Sequence, residues 1–221
     1  MKLKTPFIFI TSGQLAFFIV VPTVILIVAG FALYFLFRSR MIKKDFKYFY
    51  YKRLYRLAMD KDYYLINNFI FKIDDSHVGR IDHILFGDKY IYLINDSYFD
   101  GDIEGKENDR SLILINKVGK KYYVDNPIID NRNILTKLAI VTGIDKSLLI
   151  SISLINDNCH SGVITSSKAS YIIQSNKMKY LIKAIESRPI GKINAKELAN
   201  AVKAIDKLNR RKRNTNVKEN H

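Results

Sequence analysis

At 221 residues the chain has room for one membrane segment and one domain of ordinary size. Hydrophobic residues make up 48%, enough for a core, and a single cysteine, Cys159, excludes an internal disulfide and fits a reducing compartment. The formal charge is +15, distributed as +9 over residues 1–73, −6 over 74–110, +3 over 111–175 and +9 over 176–221.

A short N-terminal segment, 1–14, precedes 23 uncharged residues, 15–37. As a helix this run spans about 35 Å, against about 30 Å of bilayer hydrocarbon. Pro22 and Gly30 are tolerated in such a helix. A cleaved signal peptide would show a shorter apolar core followed by small residues and a polar start. Here the run ends in Phe35-Leu36-Phe37 and then Arg38-Ser39-Arg40, which predicts an uncleaved anchor. Lys2 and Lys4 stand before it; Arg38, Arg40, Lys43, Lys44, Lys47, Lys52, Arg53 and Arg56 follow. The positive-inside rule then predicts a single-pass cell-membrane protein with its N-terminus outside and its C-terminal domain in the cytoplasm. Arg38, Arg40, Lys43 and Lys44 are candidates to meet anionic lipid headgroups.

The basic juxtamembrane segment, 38–61, is predicted to be helical over 42–60 and to continue out of the membrane. Tyr48, Tyr51, Tyr55 and Ala58, with Leu54 beside them, recur at helical spacing and predict a core-facing stripe. Strands are predicted over 63–73 and 80–86, the second turning at Gly87-Asp88 into another over 89–94. A hairpin follows over 111–116 and 120–124, with Gly119 in its turn. A helix over 130–142 is stopped by Gly143, and a buried strand over 148–155 and a short one over 162–165 come next. Helices over 176–187 and 195–209 close the domain, with Asn194 and Glu197 at capping-box spacing. The order predicts an α/β fold, with α+β the alternative: a central mixed sheet flanked by helices over 62–190, then a C-terminal helix over 191–209. The tail, 210–221, is polar and basic and is predicted to be disordered. Its Arg210, Arg211, Lys212 and Arg213 are further candidates for nucleic-acid or lipid contact.

The acidic block holds the most informative stretch. It contains Arg80-Ile81-Asp82-His83, the Gly87 turn, an apolar strand ending Asn95-Asp96-Ser97, and then Asp100-Gly101-Asp102-Ile103-Glu104-Gly105. Two strands joined at Gly87 place Asp82 close to Asn95 and Ser97. Ile81-Asp82-His83, the glycine-bearing turn, the second strand, Gly101 and Gly105, with Asn126-Pro127 and Asn131 downstream, together resemble the NERD (nuclease-related domain) family. That family is related to the restriction-endonuclease-like PD-(D/E)XK nucleases, and the resemblance covers roughly 45–187.

The resemblance implies five polar positions. An acidic residue on the opening helix falls on Lys47, the middle aspartate is Asp82, an acidic residue and a lysine fall on Asn95 and Ser97, and a glutamine falls on Asp130. Only Asp82 is kept. In such chemistry carboxylates hold Mg²⁺ through hard oxygens, and the metal activates water and stabilises charge on phosphate. Loss of one preorganised electrostatic contact costs about 10²–10³ in rate, so these departures imply a catalytically inactive domain with no cofactor and no assured metal site. Asp96, Asp100 and Asp102 could rebuild a metal site. Strict alternation, however, predicts that Asp96 faces away from Asn95 and Ser97, that His83 faces opposite Asp82, and that Asp100 and Asp102 lie in a loop. Cys159, beside His160, is read as an incidental or half-buried thiol.

The expectation is therefore a membrane-anchored nuclease-related protein acting as a binding or scaffolding module. Its partners would be the membrane, anionic lipid headgroups, nucleic acid or another membrane protein. One alternative is a membrane-tethered, Mg²⁺-dependent nuclease with a displaced site. Another is non-catalytic nucleic-acid binding through the basic ends, with steep salt dependence.

Overall fold

The computed structural model describes residues 12–73 and 77–209. Lys2 and Lys4 and the tail residues Arg210, Arg211, Lys212 and Arg213 lie outside the described residues. The chain divides into two compact units, Met1–Asp45 and Phe46–His221.

Among its described residues the first unit holds one helix, α1 (Ser12–Lys44). Its stretch Ile19–Arg38 has a mean hydropathy of 2.6 and none of it is buried, so it is long and apolar enough to cross a membrane. Pro22 lies inside the helix, and the Thr23 hydroxyl donates to Ile19 O at 2.7 Å. The Arg38 guanidinium lies 6.0 Å from the centre of the Tyr34 ring, and Lys43 is exposed. Arg40 and Lys44 also belong to α1.

The helix does not run on as the sequence pattern suggests. Asp45 interrupts it, and α2 (Phe46–Lys61) opens the second unit. Its buried face also differs from the expected stripe: Tyr50, Leu54, Leu57 and Ala58 are buried, whereas Tyr48 is 59% and Tyr55 48% exposed. Leu54 and Leu57 bury without a polar atom, whereas Tyr50 buries with its hydroxyl unpartnered.

There follow β1 (Tyr64–Lys72), β2 (Val78–Phe86), β3 (Ile91–Asp96), β4 (Gly101–Lys106), β5 (Ser111–Asn116) and β6 (Lys121–Asp125). After these come α3 (Pro127–Thr142), β7 (Leu149–Ile155), β8 (Ser161–Ile164), β9 (Ser170–Gln174), α4 (Met178–Glu186) and α5 (Ala195–Leu208). The class is mixed α/β, with two sheets where a single one was expected. The five-stranded sheet has the order β1-β2-β3-β7-β9, antiparallel up to β3 and parallel from there; the four-stranded sheet runs β6-β5-β4-β8.

β4 is where the sequence suggested an acidic loop. Asp102 lies within it and accepts from His160 N at 2.8 Å, while Asp100 precedes it, 3.8 Å from the Lys117 ammonium. β4 lacks a run of apolar residues, and it is a strand because β5 and β8 pair with its two edges. β9 also went unpredicted; it is short and takes its place by parallel pairing with β7.

Helices cover both faces of the five-stranded sheet. α2 and α4 pack on Leu85, Tyr92, Ile94, Ile152 and Leu154 on one side. α3 and α5 pack on Ile84, Phe86, Ile91, Leu93 and Leu149 on the other. A smaller core of Ile103, Leu112, Ile155 and Cys159 sits against the second sheet.

α3 begins earlier than its periodicity suggests, because Asn126 caps it and Pro127 starts it. The Asn126 amide also donates to the carbonyls of Lys106, Glu107 and Asp109, tying β4 to α3. Gly143, at φ 70°, ends the helix in the left-handed region, as its sequence predicts. Asn194 caps α5 by accepting from Lys196 N at 2.9 Å.

Candidate functional site

The site begins with a break in the pleat. β1 pairs Asn67 with His83 and Phe69 with Ile81, and between them Asn68 takes a left-handed φ of 52°. Asparagine is among the few residues that tolerate this region. On both strands the alternation slips at this point: Ile66 and Phe69, like Ile81 and Ile84, bury in the same α3–α5 core. The two residues between Ile81 and Ile84 are Asp82 and His83, and both are turned to a pocket beside α2.

This corrects the expected geometry. Asp82, His83 and Asp96 do not point to separate faces. They line one cavity of about 390 Å³ together with Lys47, Tyr48 and Tyr51 from α2 and Asn67 and Asn68 from β1. On β2 the slipped pleat overrides strict alternation, whereas on β3 alternation holds: Asn95 reaches Asn131 of α3 and Asp96 faces the cavity beside α2. Tyr48 and Tyr51, expected in the core, instead form part of the wall, and the Tyr51 ring stacks near His83 with centres 6.4 Å apart.

Every polar atom of the Asp82 side chain is engaged. Its Oδ1 lies 2.8 Å from the Lys47 ammonium and 3.5 Å from the Arg80 guanidinium, and its Oδ2 accepts from Asp96 N at 3.0 Å. Its own N–H donates to Asn95 Oδ1 at 2.8 Å instead of joining the sheet ladder. Asn95 Nδ2 passes the chain on to Asn131 Oδ1 at 2.6 Å, and Asn131 Nδ2 donates to Ser153 Oγ at 2.7 Å. This relay of neutral amides links β2, β3, α3 and β7.

His83 Nδ1 lies 2.6 Å from Asn67 Oδ1, and its Nε2 lies 3.0 Å from Asp96 Oδ2. With an oxygen at each ring nitrogen, the histidine bridges Asn67 on β1 and Asp96 on β3. The Asp96 side chain has no exposed surface, and its Oδ1 is buried without a hydrogen-bond partner. Burial pushes this carboxyl above the usual range; the His83 hydrogen bond opposes the shift and the Asp82 charge adds to it.

Of the five positions implied by the resemblance, Lys47, Asp82 and Asn95 converge. Ser97 does not line the cavity; its N–H donates to Leu154 O at 2.8 Å and extends the pairing of β3 with β7. Asp130 is exposed in the first turn of α3, where its charge suits the positive helix end. Sequence reasoning missed Asn67, Asn68, Arg80 and Ser153. The adjacent asparagines inside an aromatic, β-branched strand were the available signal, since such residues are depleted in strand interiors.

Mg²⁺ requires a compact shell of oxygen ligands. Among the described residues no group of three or more His, Cys, Asp or Glu could hold a metal ion. Lys47 brings a positive charge to Asp82 Oδ1, and Asn95 uses both ends of its amide within the protein. The residues present therefore do not fit the ion. Cys159 is fully buried, and burial, then the Asp102 charge, push its thiol up to about 11, which makes it a poor nucleophile.

Residues 46–155 match the family model of the nuclease-related domain, NERD. The match opens at the first residue of α2 and closes at the last of β7. No curated protein and no solved structure matches the chain.

Proposed function

Because this chain belongs to the nuclease-related domain family, matched across residues 46–155, we propose that it is a membrane-anchored member without nuclease activity, serving as a binding or scaffolding module at the cytoplasmic face. The observation that carries this reading is the 2.8 Å ion pair between Lys47 and Asp82. Lys47 stands where the family resemblance implies an acid, so the centre carries a tethered ammonium in place of a second carboxylate. Asn95 supports the reading from the other side: it brings no charge, and it spends its amide on Asp82 N and Asn131. The apolar stretch of α1 and the basic residues after it support anchoring with the domain inside.

The test uses the full chain in detergent, with DNA and RNA substrates and Mg²⁺ or Mn²⁺. Cleavage no greater than that of Asp82→Ala is expected, and calorimetry should show no divalent binding that depends on Asp82. Cleavage that Asp82→Ala abolishes would overturn the reading in favour of a nuclease with a displaced site. Anchoring is tested separately, by resistance to alkaline carbonate extraction and by protease accessibility of the domain from the cytoplasmic side alone.

A further inference from the structure

The outer surface of α2 and α4 differs in character from that of α3 and α5, the helices on the other face of the sheet. Lys52, Tyr55, Arg56 and Met59 on α2 are exposed, as are Tyr180 and Lys183 on α4. The two helices share one core and lie on the same face of the sheet. They contain two acidic residues, Asp60 and Glu186. Asp60 is paired with Lys179 at 3.1 Å across the two helices. Glu186 turns inward, accepting from the Tyr92 hydroxyl at 2.6 Å and from Lys89 N at 3.0 Å. What the pair of helices presents outward is thus positive charge interleaved with tyrosine and methionine. The opposite helices offer a contrast: α3 and α5 contain no aromatic residue, and their exposed charges, among them Asp130, Lys137, Glu197 and Lys203, are of both signs.

We infer that the exposed α2–α4 face is a membrane-contacting surface that binds anionic lipid headgroups, with Lys52, Arg56 and Lys183 meeting phosphates and Tyr55, Met59 and Tyr180 entering the interfacial layer. Lysine and arginine can bury their stems while keeping the charge in water, and tyrosine suits a boundary that is apolar on one side and wet on the other. The occupant follows from the chain itself. Phe46, the first residue of α2, lies eight residues beyond Arg38, the end of the apolar stretch, which is at most about 28 Å of extended chain. An anchored α1 holds α2 near the bilayer surface at high effective concentration, whereas a soluble polyanion would have to be captured from solution. The inference rests on the anchoring proposed above but not on the loss of nuclease activity.

The experiment places the full chain in nanodiscs of phosphatidylcholine alone or with one-third phosphatidylglycerol, and reads lysine acetylation rates by mass spectrometry. Lys52, Lys179 and Lys183 should be slowed more than about fivefold by the anionic lipid and released again by about 0.5 M salt. Lys137, Lys196 and Lys203 should not change. Arg56→Glu combined with Lys183→Glu should abolish the lipid dependence at Lys52 and Lys179. Equal rates in the two discs overturn the membrane face while leaving the anchor standing. Failure of the chain to remain with either disc overturns both. Protection of the same lysines by a DNA or RNA oligonucleotide in neutral discs, without protection by anionic lipid, overturns the inference in favour of a nucleic-acid surface.

Discussion

Replacing Lys47 by methionine keeps the length of the side chain and removes only its charge from Asp82. At 2.8 Å the pair interacts by about 1.5 kcal/mol if screened as in bulk water and by about 6 kcal/mol at an intermediate dielectric. Lys47 is 48% exposed and Asp82 only 10%, and holding a long exposed side chain in place costs entropy, so the low end applies. Asp82 also retains Arg80 and the Asp96 amide. The expected loss is about 0.5–1 kcal/mol, a melting point lower by about 1–4 °C for a domain of this size. Lys47→Glu should cost about 1 kcal/mol more, because two carboxylates then share the pocket, and millimolar Mn²⁺ should recover part of that loss by binding the native state. Thermal melts of both variants in one detergent, with and without the ion, supply the measurement. In the Lys47→Met background a further Asp82→Asn change should have less effect than it does in wild type. If Lys47→Met melts with wild type, or Lys47→Glu with Lys47→Met, Lys47 is not the cation that neutralises Asp82.

Asn131→Leu should destabilise by about 2–4 kcal/mol in urea unfolding, since it strands the Asn95 amide and the Ser153 hydroxyl; a loss below about 1 kcal/mol would show that the relay carries no weight. Asp96 binds its proton more tightly in the folded chain than its ordinary value of 3.8 allows. Its contribution to stability is complete below about pH 3.8 and is lost as pH rises through the raised value. Asp96→Asn should therefore gain on wild type with rising pH, by up to about 1.4 kcal/mol per unit in that window, and parallel pH profiles would refute this. Cys159, with its thiol pushed up to about 11, should resist alkylation at pH 8 in the native chain and react fully in denaturant; rapid native labelling would contradict its burial.

Local patterns were legible where one interaction dominated. The charge-free run predicts the apolar helix, Gly143 its left-handed stop on α3, and Leu149–Ile155 a strand buried on both faces. β4 and β9 were illegible because their own residues do not demand a strand; neighbouring edges do. The α2 stripe was right at Leu54 and Ala58 and wrong at its tyrosines, because tyrosine fits both core and surface; packing against the sheet added Tyr50 and Leu57 to the buried face. The candidate site was half legible. Asp82 stood out from the family resemblance, and alternation correctly turned Asp96 away from Asn95; it misplaced His83, which shares a side with Asp82 where the pleat slips beside the left-handed Asn68.

The sequence by itself determined the family, the mixed α/β class, an apolar helix able to span a membrane, and the departures from the nuclease pattern at Lys47, Asn95 and Ser97. These are properties of residue identity and local spacing. Tertiary structure decided what those residues do for one another. It brought Lys47 across from α2 to Asp82 on β2, 35 positions along the chain, and buried Asp96 against His83. It also led the Asn95 amide through Asn131 to Ser153. Long-range electrostatics and hydrogen bonding depend on distance in space, and only the packed sheet and its helices set those distances.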